Sequence, residues 1–170
     1  MFCYPEDWPL LIGAPQNVRE MWIDALRVWA PPHMTRRLVI VPVTSAQELP
    51  ALTDVLQSGT APCAQSAKRL VATVMTYDLV QKIPIADLRR FGCVVVDESH
   101  LLKDKDSLRC QRMKEVLKTC KRALLLSGKY HLEILVSALC FQRNKTIASL
   151  SWLFRNRWIK LYSTVLTSLC

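Results

Sequence analysis

Apolar residues recur along this chain as short unbroken runs, and polar stretches with helical spacing separate them. Leu10 to Ala14, held between Pro9 and Pro15, is such a run. So are Leu38 to Val43, Leu70 to Met75 and Cys93 to Val96. Lys121 to Ser127, with Ala123 to Leu126 at its centre and Gly128 after it, reads as a fifth strand. A continuous apolar run of this length, bounded by turn residues, predicts a strand covered on both faces. Cys93 to Val96 is wholly apolar and mostly β-branched, so it is expected near the middle of the sheet. After the first strand, Val18, Met21, Trp22, Ala25, Leu26 and Trp29 fall at three- and four-residue spacing. They predict one apolar face of a helix, capped by Gln16 or Asn17 and stopped by Pro31 and Pro32. Further helices are expected over 45–56, its start shaped by Pro50, from Thr76 to Val80, near Ile85 to Arg90 and over 108–118, with a loop over 57–68. Strands alternating with helices specify an α/β fold, a parallel sheet with helices on both faces.

In such sheets ligands bind beyond the carboxyl ends of the strands, which directs attention to the residues after Ala14, Met75, Val96 and Leu126. Asp97-Glu98-Ser99-His100 leaves the central strand at such an end. An aspartate there can hold Mg²⁺ directly or through water, and a neighbouring glutamate can orient and deprotonate a water that attacks a γ-phosphate. An Asp-Glu pair that merely shapes a loop or caps a helix is the alternative. Gln16, Asn17 and Arg19 open a helix after a strand, where free N–H groups favour a phosphate; ordinary capping beside a solvated arginine fits them equally. Trp22 and Trp29 read as core residues rather than stacking platforms, and His33 and His131 have no assignable partner.

The order of these segments resembles SWI/SNF-type DNA helicases, and within them the HepA-related annealing helicases. The resemblance is carried by Cys93 to Lys103, Arg109 to Lys118 and Lys121 to Gly128, similar to the Walker B segment and the approach to motif III. Pro9 to Arg19 with Trp22 and Trp29 is similar to motif Ia, and Val74 to Val80 to the segment before the Walker B strand. The resemblance implies a partial RecA-like fold of the P-loop NTPase type over residues 1–128. It implies Asp97 as the Mg²⁺ residue, Glu98 on the attacking water, and His100 as the contact between the ATP site and motif III. Ser127 and Gly128 would begin the coupling motif, and the Gln16, Asn17 and Arg19 region would touch the DNA backbone. ATP and Mg²⁺ are the implied cofactors, branched or forked DNA the implied partner, and the nucleus the implied location. An intact member would also recruit a single-strand-binding protein.

The chain departs from that family in three ways. No Gly-x-x-x-x-Gly-Lys-Ser/Thr phosphate loop occurs in it, and after Ser127-Gly128 come Lys129 and Tyr130 instead of Thr-Pro. ATP binding by the chain alone is therefore expected to be weak or absent. A second RecA-like lobe is also missing. A non-catalytic DNA-binding or interaction product that keeps the α/β scaffold is the alternative reading.

Composition sharpens the picture at one end. The net charge is +9, and residues 129–170 hold six Lys or Arg against one acid, Glu133, so the excess is concentrated there. That stretch is expected to be a divergent basic and apolar tail, helical or poorly ordered. It would cover exposed sheet, or bind a polyanion through Arg155, Arg157 and Lys160 beside Trp152 and Trp158. The seven cysteines are odd in number and never in a Cys-x-x-Cys pair, which argues for reduced thiols over disulfides or zinc. No run approaches the roughly 18–20 apolar residues of a membrane span, and no secretory signal opens the chain.

Overall fold

The computed structural model describes residues 1–58, 69–104 and 106–127, and the strands 146–151 and 161–162. Five parallel strands form its heart: β1 Leu10–Gly13, β2 Leu38–Pro42, β3 Leu70–Met75, β4 Cys93–Val96 and β5 Arg122–Ser127. Between them run α1 Arg19–Trp29, α2 Pro32–Thr35, α3 Leu49–Ser58, α4 Tyr77–Val80, α5 Ile85–Leu88 and α6 Leu108–Thr119. This is the α/β fold expected from the run pattern, and it is consistent with the partial RecA-like arrangement that the resemblance implies.

The sheet order is β2-β3-β1-β4-β5, continued by β6 Thr146–Ser151 and β7 Leu161–Tyr162. The chain leaves β1 toward β2 on one side and leaves β4 toward β5 on the other. The reversal of strand order between β1 and β4 is the crevice where open α/β sheets bind ligands. Gly13 pairs with Val96 at that point, so both strands end level.

Every residue of β1, β3 and β4 is buried because helices cover both sheet faces. Leu10, Ile12, Ala72, Val74, Cys93 and Val95 pack with Ile23 and Leu26 of α1 and Met34 of α2. Leu11, Val71, Val94 and Val96 pack on the other side with Leu52, Leu88, Met113 and Leu117 from α3, α5 and α6. Burial pushes the Cys93 thiol, on β4, up to about 11, with the nearby Asp7 carboxylate adding to the shift. Among the described residues, no helix is long and apolar enough to cross a membrane.

Three expectations are corrected. In α1, Ile23 and Leu26 are the buried residues, Val18 and Trp22 pack against the core, and Met21 and Trp29 face solvent. The apolar arc of this helix is wider than the strip that docks, with Glu20, Asp24 and Arg27 on the polar side, so spacing alone does not choose which part of the arc meets the sheet. Neither Gln16 nor Asn17 caps it. Pro15 initiates a 3-10 turn over Gln16–Val18, which delays the α-helix and leaves Val18 at the cap without a side-chain hydrogen bond. In the tail, the described residues form strands instead of helix. Thr146–Ser151 runs parallel to β5 and satisfies its open edge, with Leu161–Tyr162 antiparallel outside it. The rest of 128–170, including Arg155, Arg157 and Lys160, lies outside the described residues.

The amino end of the chain is locked at the amino ends of β4 and β5. Asp7 is buried and accepts from Arg122 Nε at 2.7 Å and Lys121 Nζ at 3.0 Å, while Tyr4 lies under the Arg122 guanidinium at 3.3 Å. Burial raises the Asp7 pKa, but the hydrogen bonds and charges of Lys121 and Arg122 outweigh it and hold the carboxyl below its ordinary value. A depressed carboxyl contributes stability that is present above the unfolded value of 3.8 and is lost as pH falls below it. Asp7→Asn is expected to cost about 1.5–3 kcal/mol at pH 7, the range for hydrogen bonds to a charged group. The gap to the parent chain should narrow below pH 3.8. Urea unfolding at pH 7 and pH 3 checks this; an equal gap at both values would show that the charge of Asp7 is not what matters.

Candidate functional site

The crevice between β1 and β4 is built first from main chain. Asp97 N donates to Gly13 O at 2.9 Å, continuing the β1–β4 ladder one residue past Val96. The next residue turns sharply: Glu98 has φ 48° and ψ 48°, left-handed values that a non-glycine residue adopts only under constraint. Glu98 N donates to Asp97 Oδ1 at 2.9 Å, which supports that turn. A 3-10 turn over Ser99–Leu102 follows, and buried Leu102 anchors it in the core.

Two aromatic residues hold Asp97 in place. The Trp22 indole N–H, from the second turn of α1, donates to Asp97 Oδ2 at 2.8 Å. The Tyr77 hydroxyl, from α4, lies 3.0 Å from Gly13 O and makes a short hydrogen bond to Asp97 O. Burial, and then the Asp97 and Glu98 carboxylates, push the Tyr77 phenol far above its ordinary range, so it remains a donor. Gly13 makes this possible, since a Cβ there would meet Tyr77 Cε1 at 2.9 Å.

Glu98 leads toward β5. Its Oε2 lies 2.9 Å from His100 Nδ1, and His100 Nδ1 lies 3.4 Å from Ser127 Oγ. Glu98, His100 and Ser127 thus form one short polar chain joining the ends of β4 and β5. Gly128 lies outside the described residues. Gln16 and Asn17 are exposed on the 3-10 turn after β1. The Arg19 side chain is 14% exposed; Nη2 is 3.6 Å from Glu20 Oε1, and Nε has no partner among the described residues. Arg19 also helps lower the Glu48 pKa, behind hydrogen bonds from Thr44 and from Ser45, the latter part of the Ser45–Glu48 capping box.

The chain is 32% identical over 125 residues to the SWI/SNF-related matrix-associated actin-dependent regulator of chromatin subfamily A-like protein 1 of Xenopus laevis, a stretch covering 74% of this chain. The Caenorhabditis elegans homolog of that protein is 32% identical over 126 residues, again 74% of the chain. The human DNA annealing helicase and endonuclease ZRANB3 is 27% identical over 130 residues, 75% of the chain. The chain belongs to the SWI/SNF helicase family. No family model matches it. The matched stretch is 11% of the length of the Xenopus and human relatives and 16% of the nematode one.

For a SWI/SNF helicase segment, Trp22 and Tyr77 are the contacts that sequence reasoning missed. Trp22 is assigned by its spacing to core packing, and it does lie half-buried against the core. Its N–H nonetheless reaches a carboxylate 75 residues away. Periodicity carries no signal for such a contact, because it reports which face a residue occupies and not what its polar atom meets. For Tyr77 a signal was available: an aromatic hydroxyl beginning a helix directly after a buried strand has its polar end at the carboxyl edge.

Proposed function

We propose that residues 9–128 are the part of the first RecA-like lobe of an ATP-dependent DNA translocase or annealing helicase that carries the Walker B carboxylates. We assign residues 1–128 to that lobe and 129–170 to a divergent basic tail. The observation that carries the reading is the pair Asp97–Glu98, delivered by the middle strand to the crevice where strand order reverses, with Asp97 held by Trp22 and Glu98 joined to His100 and Ser127.

The residues fit Mg²⁺ and a nucleotide. Hard carboxylate oxygens suit Mg²⁺, and Asp97 accepts only one N–H on each oxygen among the described residues, which leaves lone pairs open. Bound there, Mg-ATP would supply the γ-phosphoryl group and the charge that neutralises it. In this reading Asp97 positions the metal and Glu98 orients and deprotonates the attacking water. His100 transmits the state of Glu98 to Ser127 and Gly128, which begin the coupling motif. Gln16, Asn17 and Arg19, at the carboxyl end of β1, would meet the DNA backbone. The work is nuclear, in DNA repair, replication-fork or chromatin remodelling, on branched or forked DNA, with a single-strand-binding protein as recruiter of the whole protein.

Residues 1–170 contain no Gly-Lys-Ser/Thr loop, so the isolated chain is expected to show no DNA-stimulated ATP hydrolysis. Phosphate release by the purified chain, with and without forked DNA, tests this. Steady DNA-dependent release that Glu98→Gln abolishes would mean that the chain is catalytic unaided.

A further inference from the structure

A second surface lies where α5 packs beside α6. A groove of about 410 Å³ is lined by the apolar Ile85 and Leu108, which are 38% and 52% exposed, and by Arg112, Lys114 and Lys118. The lone acid of the lining, Glu115, is already engaged, by Lys118 Nζ at 2.6 Å and Arg89 Nη2 at 3.3 Å. Those two bonds hold its carboxyl below its ordinary value. Arg112 and Lys114 are half-buried and have no acidic partner among the described residues.

We propose that this groove docks a short acidic amphipathic segment of another protein, with an apolar side chain between Ile85 and Leu108 and carboxylates on Arg112 and Lys114. Around α6, Arg112 and Lys114 lie on either side of the line through Leu108 and Glu115, so cations border the apolar position on both flanks of the groove. The charge complement selects the partner. Half-buried arginine and lysine without counter-ions favour carboxylates, whereas a second copy of a chain with net charge +9 would bring more positive charge. The apolar lining selects against nucleic acid, whose backbone offers nothing to cover Ile85 and Leu108. This surface is independent of the nucleotide reading and stands or falls without it.

The test is fluorescence anisotropy of the full 170-residue chain with a labelled synthetic 14-residue peptide, helical, with Glu along one face and Leu at i and i+4 on the other. A control peptide with both Leu replaced by Ser keeps the charge. The control is expected to bind at least about tenfold more weakly, and Leu108→Gln to weaken the parent peptide about fivefold, from lost apolar burial. Arg112→Glu with Lys114→Glu is expected to weaken it at least about tenfold. Leu108 is half exposed, so its variant should melt with the parent chain; Ile85→Gln is the second variant if it does not. Binding that ignores the groove variants, or equal binding of both peptides, would overturn the proposal by placing the peptide on other basic residues. A labelled single-stranded oligonucleotide of matched charge that responds to the charge reversal but not to Leu108→Gln, and displaces the peptide, would overturn it in favour of a nucleic-acid surface.

Discussion

In a SWI/SNF translocase whose matching segment is replaced by residues 9–128 of this chain, Glu98→Gln is expected to lower DNA-dependent ATP turnover at least about a hundredfold while ATP binding is retained. The expectation follows from position. Phosphoryl transfer is catalysed mainly by placement and electrostatics, and the host translocase supplies the phosphate loop and second lobe. Glu98 stands one residue beyond the point where the β1–β4 ladder ends, and its left-handed backbone turns its carboxylate toward His100 and Ser127. Glutamine keeps the size and the contact but cannot take a proton. Asp97→Asn should act differently, by raising the Mg²⁺ concentration needed for turnover, because an amide is a poorer ligand for a hard cation. Nucleotide binding and single-turnover hydrolysis, measured on the same graft, separate the two. A folded, ATP-binding graft that turns over at the parent rate with Glu98→Gln would remove Glu98 from the reaction.

Gly92→Ala is expected to destabilise the chain by about 3 kcal/mol or more, a large fraction of the roughly 5–15 kcal/mol that holds a domain folded. A Cβ on Gly92 would lie 2.0 Å from the Asp7 carbonyl oxygen and 3.0 Å from its carbon, so the contact is with backbone and no side chain can swing away. Nor can the backbone retreat at low cost. Gly92 N and Cys93 N both donate to Pro9 O at 3.1 Å, and Gly92 O accepts from Lys121 N at 2.8 Å and Arg122 N at 3.1 Å. Moving Asp7 would also break its bonds to Lys121 and Arg122. Overpacking of this kind is relieved only by displacing paired groups. Denaturant unfolding of the variant checks the figure; a midpoint within experimental error of the parent would mean that the amino-terminal segment does not press on Gly92 in solution.

These expectations draw on two different sources. The five strands and their parallel arrangement follow from unbroken apolar runs such as Cys93 to Val96, because a strand buried on both faces has no polar position to spare. The order of local segments also places Asp97 and Glu98 at a strand's carboxyl end, since this needs only the end of an apolar run followed by two acids. Sequence therefore determines which residues stand at the edge. It does not determine what they touch. Trp22 on Asp97, Tyr77 across Gly13, and Asp7 beneath Gly92 join residues 75, 64 and 85 positions apart, and no local spacing encodes them. The exposed part of α1 is undecided for the same reason: a helix whose apolar arc is wider than its docking strip can dock in more than one rotation. The sheet selects the rotation that buries Ile23 and Leu26 and brings Trp22 to the carboxylate. In the tail, Thr146 to Ser151 becomes strand because the unpaired edge of β5 offers it a full row of main-chain partners, and that edge exists only once the sheet has formed.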